Sequence, residues 1–216
     1  MVNKQIKWNV MTTIEKYNNS EDFLSKNVSE IKQIEGNMLL SEGVLDIWRL
    51  MSGANNEPSS APTSIVHYDN LHSYIGVGTS NTAPSAGDGG LLGGVSAGAQ
   101  FYKEVDSAPT PFPVVSGNKI TFKSTFYGEG APPPYNHPEA VFEWNEWSVA
   151  RGVDKTTIPS YDYPSPGDPR TDVKKVFGGT DNIDTYIKNN LNRKQEAMGT
   201  KASAATWVIT VEISLT

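Results

Sequence analysis

The sequence contains no cysteine, which excludes a disulfide framework, a thiolate metal site and a cysteine nucleophile, so folding rests on packing alone. It has three histidines among its 216 residues, and only His67, Asp69 and His72 fall near metal-ligand spacing. On a strand His67 and Asp69 share a face and His72 lies on the other, so the three would converge only across a turn. No metal or cofactor is expected. Long apolar runs are also missing: no window of about 18 apolar residues exists, and the opening MVNKQIKWNV lacks the core of a signal peptide. The expectation is a protein made and kept in a reducing cytoplasm until assembly, with no membrane partner. Charge is sparse, at 19% of residues with a net −6, and the lysines and arginines are scattered. Without a basic patch, no nucleic-acid partner is expected.

What the chain does have is 19 glycines and 14 prolines, a turn-rich composition typical of sandwiches and barrels. The clearest pattern lies at the carboxyl-terminal end. Trp207, Ile209, Val211, Ile213 and Leu215 alternate with mostly polar residues, the two-residue period of a half-buried strand. A second strand is expected from Lys119 to Tyr127, with Ile120, Phe122 and Phe126 at alternating positions. A third, aromatic-rich strand runs from Glu139 to Ala150, apolar on both faces and therefore central. The candidate core is Phe122, Phe126, Trp144, Trp207, Ile209, Val211 and Ile213. Shorter strands are expected before Gly78, at residues 101–105 and at 191–198, and weak helix at 181–190.

The first part of the chain differs. Residues 1–18 are polar with isolated apolar anchors at Ile6, Trp8, Val10 and Ile14, and read as an extended arm. Ser20, Glu21 and Asp22 suggest a helix start, and Phe23, Leu24, Val28, Ile31 and Ile34 follow at helical spacing, predicting a helix over 21–35. A second amphipathic run over 38–51 includes Trp48 and stops at Ser52-Gly53. These helices either cap the β core or lie against another subunit. The candidate interface residues are Ile6, Trp8, Val10, Ile14, Phe23, Leu24, Ile31 and Trp48. The chain thus divides into an N-terminal arm and helices (1–53) and a β-rich domain (54–216) with loop insertions near 79–98, 128–138 and 152–190.

Catalytic constellations are weak. Glu143 and Glu146 sit beside Trp144 and Trp147, which suggests a glycosidase pair or sugar-stacking tryptophans, but three residues apart on a strand the carboxylates point to opposite faces. The glycine-rich 76–94 lacks the Gly-Lys-Ser/Thr end of a phosphate loop. No serine lies in a recognisable triad motif. No enzymatic activity is expected.

Several segments together carry a resemblance: Glu42-Gly43-Val44 to Met51-Ser52-Gly53; Tyr74-Ile75-Gly76-Val77-Gly78 with Thr82-Ala83; Ile120-Thr121-Phe122 to Phe126; Phe142-Glu143-Trp144-Asn145-Glu146-Trp147; and Leu191-Asn192-Arg193-Lys194 to Gly199-Thr200-Lys201 with Thr206-Trp207. In this order they resemble a family of small structural proteins of tailed bacteriophages, over about 38–216. The resemblance implies a virion component. The expectation is a capsid decoration (cement) protein on the capsid exterior that binds the major capsid protein lattice, with a β-sandwich or jelly-roll-like domain and self-association, a trimer being favoured. A tail or head–tail component, or a host-glycan-binding module, are the alternatives. On this reading, removal of residues 1–37 would leave the β domain folded but unable to bind the lattice.

Overall fold

Ten consecutive residue pairs join the two ends of the chain. The expected carboxyl-terminal strand forms as β12 (Thr206–Leu215), and its partner is β1 (Trp8–Tyr17), antiparallel and in register from Trp8 opposite Leu215 to Tyr17 opposite Thr206. The structure is a computed structural model that describes residues 7–52, 68–93, 100–130, 138–153, 175–177 and 187–216. With β2 (Glu30–Glu35), β6 (Val114–Ser116) and β7 (Lys119–Phe126), these strands make a five-stranded antiparallel sheet of order β2-β1-β12-β7-β6. A second antiparallel sheet has the order β3-β11-β8-β4-β5-β9. Its strands are β3 (Met38–Leu39), β4 (Ser73–Gly78), β5 (Gln100–Glu104), β8 (Glu143–Gly152), β9 (Lys175–Phe177) and β11 (Asn192–Thr200), and β10 (Ile187–Asn190) also pairs with β8. Among the described residues two helices, α1 (Ser20–Ser25) and α2 (Ser41–Ser52), complete a mainly β fold.

The sheets pack as a sandwich because their inner faces carry the large apolar side chains. Trp144 on β8 meets Trp207 on β12 edge-to-face at 4.8 Å and Phe126 on β7 at the same centroid distance, and Phe101 on β5 reaches Phe126 at 5.9 Å. All seven expected core residues are buried, none more than 5% exposed. Leu215, expected on the same face, is half exposed at the strand end. The central placement of the aromatic-rich strand also holds, since β8 lies between β11 and β4. Trp144 and Trp147 join one core cluster despite their odd spacing, and the facing strand β11 shifts register opposite them, between Gln195 and Gly199.

The N-terminal expectations need correction. Residues 8–17 are not an arm but an internal strand, paired on both edges. Val10 and Ile14 are buried in this chain's own core, with Thr12 and Lys16 on the same face, and Trp8 packs against that core. Removing residues 1–37 would therefore take out the strand beside β12 rather than a detachable arm. Only the first turns of the expected 21–35 helix exist. Asn19 caps α1 by accepting the Asp22 N–H, and Lys26 ends it in the left-handed conformation at φ 61°. Ile31 and Ile34, helical in spacing, lie on β2, where Ile34 faces the core and Ile31 faces out at 58% exposure. The open edge of β1 offers a row of hydrogen bonds that overrides the weak local preference. The helix over 38–51 forms as α2 after a short β3; of the helix expected at 181–190, only 187–190 lie among the described residues, and they form β10. Ile6, His67, Pro132 to Pro134 and most of the 152–190 insertion lie outside the described residues.

One buried charge cluster ties β5, the 138–142 segment and β11 together. Lys103 Nζ bonds Glu139 Oε2 at 2.7 Å, and Lys201 Nζ donates to the Tyr127 carbonyl at 3.1 Å. Burial pulls Lys103 down, but Glu139, Glu104 and Asp106 together more than offset it and its pKa is raised; Glu139 itself is pushed up by burial. Lys201, fully buried, is pulled down by desolvation to about 7, with Glu139 opposing and Lys103 adding to the shift.

Two tests follow from this packing. Trp207→Ala should cost about 3–5 kcal/mol as a large-to-small core change, read by chemical denaturation, and an unchanged midpoint would contradict the placement of β12. Between pH 10.5 and about 7 the unfolded chain binds a proton on Lys201 that the folded chain refuses, so stability falls as pH falls through that window. Lys201→Met should flatten that slope, by up to about 1.4 kcal/mol per pH unit.

Candidate interaction surface

The helix α2 is amphipathic in the reverse sense. Its sheet-facing side carries Gly43 and Asp46, both buried, with Ile47 packed on the core, while Leu45, Trp48 and Met51 stand outward at 47%, 60% and 71% exposure. Positions i, i+3 and i+6 form one stripe along two turns. A helix stabilised by its own domain turns such residues inward.

Gly43 permits the inversion, since a Cβ there would come within 2.2 Å of the Leu191 carbonyl oxygen, closer than any side chain tolerates. Asp46 anchors it. The Asp46 carboxylate accepts Arg151 Nε at 3.0 Å and the Tyr68 hydroxyl at 3.2 Å on Oδ2, and Asn189 Nδ2 at 2.8 Å on Oδ1. Burial and this carboxylate hold the Tyr68 hydroxyl well above its usual pKa, so it remains a donor. Glu42 accepts the Asn190 N–H at 3.3 Å, and burial raises its pKa.

Beside α2, residues 79–93 are held by a second buried pair. Arg193 on β11 donates from Nε to Glu146 Oε2 on β8 at 2.7 Å, and both side chains are fully buried. The guanidinium also reaches Asp88 at 2.8 Å and the Thr82 carbonyl at 2.9 Å. Glu146 accepts the N–H groups of Leu92 and Gly93 as well. Asn190 Nδ2 donates to the Gly89 carbonyl at 3.1 Å, and the Ser41 N–H donates to the Ala86 carbonyl at 2.8 Å, joining the loop to the start of α2. A glycine-rich loop thereby becomes a fixed surface with residues 81–83 and 85–87 exposed. Arg193 and Glu146 are 47 positions apart, and no local pattern in the sequence links them.

Of the sequence-derived interface residues, Trp48 belongs to this surface. Leu24 and Ile31 are exposed on α1 and β2 of the other sheet, at 62% and 58%, and Phe23 is wedged edge-on between Tyr17 and Tyr127. They do not form one patch with Trp48. The tryptophans considered for sugar stacking, Trp144 and Trp147, are fully buried. Glu143 is exposed and Glu146 buried, so the two carboxylates do not share a cleft. Asp69 and His72 pair with each other at 2.8 Å, and among the described residues no group of three or more potential metal ligands is found. Among the same residues no helix is long and apolar enough to cross a membrane. Comparison with protein-family models, curated proteins and solved structures finds no match to the chain.

Breaking the loop clamp on one side should be severe. Arg193→Met leaves Glu146 buried and unpaired and should cost about 3–5 kcal/mol, with amides of residues 79–93 exchanging ahead of the core. Arg193→Met combined with Glu146→Leu should recover most of that loss, and a double variant as unstable as the single would show that the pair is not the clamp.

Proposed function

We propose that the chain is a structural component of a tailed-bacteriophage particle, a capsid decoration protein that docks on the assembled head lattice through the outward stripe of α2. The observation that carries this reading is the inversion of α2: a buried aspartate and glycine on one side, and Leu45, Trp48 and Met51 in water on the other. The resemblance of residues 38–216 to small virion proteins, which spans α2 and loop 79–93, supports the same assignment. So does the rigid setting, because ion pairs fix the helix before docking and little ordering entropy remains to be lost on binding.

Binding only to the assembled lattice stabilises it by mass action. A partner surface with an apolar groove for the three side chains and a basic rim would complement a chain of net charge −6. The role asks nothing of turnover, and the buried carboxylates are assigned to holding the scaffold rather than to acid–base chemistry.

Trp48→Ser with Leu45→Ser should leave the melting temperature within a few degrees, since surface changes lie within about 0.5 kcal/mol, while cosedimentation with assembled heads is lost. Full occupancy of the heads by this variant would refute the docking assignment. Copy number then fixes the position: hundreds of copies per particle mean decoration, and a few dozen mean a tail or head–tail component.

A further inference from the structure

The outward stripe of α2 ends in a side chain whose chemistry can change after folding. The exposed residues of the helix are Ser41, Leu45, Trp48, Leu50, Met51 and Ser52, and none of them is charged. Met51 is the most exposed methionine among the described residues, at 71%. The others sit differently. Met198, on β11, is 1% exposed and belongs to the core cluster. Met11 is half-buried on β1, with Glu35 and Glu212 as its cross-strand neighbours, and Met38, on β3, is 39% exposed. Met1 lies outside the described residues.

A thioether is apolar, unbranched and adaptable, which suits it to an apolar groove on a partner. A peroxide reverses that character. The sulfur lone pair attacks one peroxide oxygen, the S–O bond forms as the O–O bond breaks, and the departing hydroxide takes the proton left on the transferred oxygen and leaves as water. Sulfur gives up two electrons and the peroxide accepts them, so a thioether and hydrogen peroxide become a sulfoxide and water. The sulfoxide is polar and a strong hydrogen-bond acceptor, and enclosing it among apolar groups leaves it without a donor. The sandwich itself is indifferent to the change, because Met51 belongs to neither core cluster and packs on neither.

We infer that Met51 is an oxidation site that controls docking: the thioether seats and the sulfoxide does not. The inference rests on the assignment of α2 as the docking helix, and it adds an order of events to that assignment. A seated copy has Met51 covered by its partner and keeps the sulfur reduced. A free copy that meets peroxide loses the ability to seat. Sulfoxide reductases return methionine sulfoxide to the thioether, so free copies in a reducing compartment stay competent until they dock.

The test treats the full chain with millimolar hydrogen peroxide, maps the oxidised positions by peptide mass spectrometry and measures cosedimentation with assembled heads. Met51 should gain its oxygen ahead of Met38 and Met11, and Met198 should stay a thioether in the folded protein. Affinity for the heads should fall by about tenfold or more, as one unsatisfied acceptor costs, with the melting temperature kept within a few degrees, and sulfoxide reductase should restore it. Met51→Leu, compared with itself before and after peroxide, should show no change, while Met38→Leu should remain as sensitive as the parent. Copies seated on heads before treatment should keep Met51 reduced. Undiminished cosedimentation after complete oxidation of Met51, oxidation of Met38 or Met11 ahead of it, or a peroxide effect that persists in Met51→Leu would each overturn the inference. Untreated protein that fails to cosediment would instead remove the docking assignment, and the inference with it.

Discussion

The pairing of β1 with β12 is the constraint on which the rest of the fold depends. It joins residues 8–17 to 206–215, the two most distant parts of the chain, and places β12 between β1 and β7. Loop-closure entropy opposes so long a connection, and the compensation comes from burying Trp207, Ile209, Val211 and Ile213 against the facing sheet. Lys16 shows how closely the pairing is specified: on the core face its Nζ sits 4.6 Å from the Trp207 ring and bonds both Glu30 and the Met198 carbonyl. An ammonium is tolerated at the edge of an aromatic core because each of its contacts satisfies it.

That sandwich frees its outer surfaces for other purposes. One side carries α2 and loop 79–93, held by buried ion pairs together with the apolar contacts of Ile47 and Leu91. Such pairs add little net stability over well-packed apolar residues, but they fix one geometry, because any other leaves a charge unpaired. The choice matters at α2, where an apolar inward face would have stabilised the domain and hidden the stripe. Aspartate and glycine on the inside leave leucine, tryptophan and methionine exposed.

How much of this was legible in the sequence varied with the locality of the signal. The strand at 206–215, the strand at 119–126, the central aromatic strand and the seven core residues were readable because alternation is a local property. The strand at 8–17 was not read as one, although Val10, Thr12, Ile14 and Lys16 alternate inward. Two of those four core positions are polar, and the β12 partners of the four lie 191–203 residues away. Ile31 and Ile34 satisfied a helical period equally well, and only the open edge of β1 decided for a strand. On α2 the amphipathic run with Trp48 was visible, but the sequence left open whether its apolar face covers the β core or meets another subunit. The pairs that decide, Asp46 with Arg151 for the helix and Glu146 with Arg193 for loop 79–93, form 105 and 47 positions apart.

The most direct test is a reconstruction of the particle at side-chain resolution. Docking through α2 predicts Leu45, Trp48 and Met51 enclosed by a neighbouring subunit while the sandwich keeps its β1–β12 pairing. Finding α2 in open solvent, with the contact made by the sheet faces or by β2, would contradict the account.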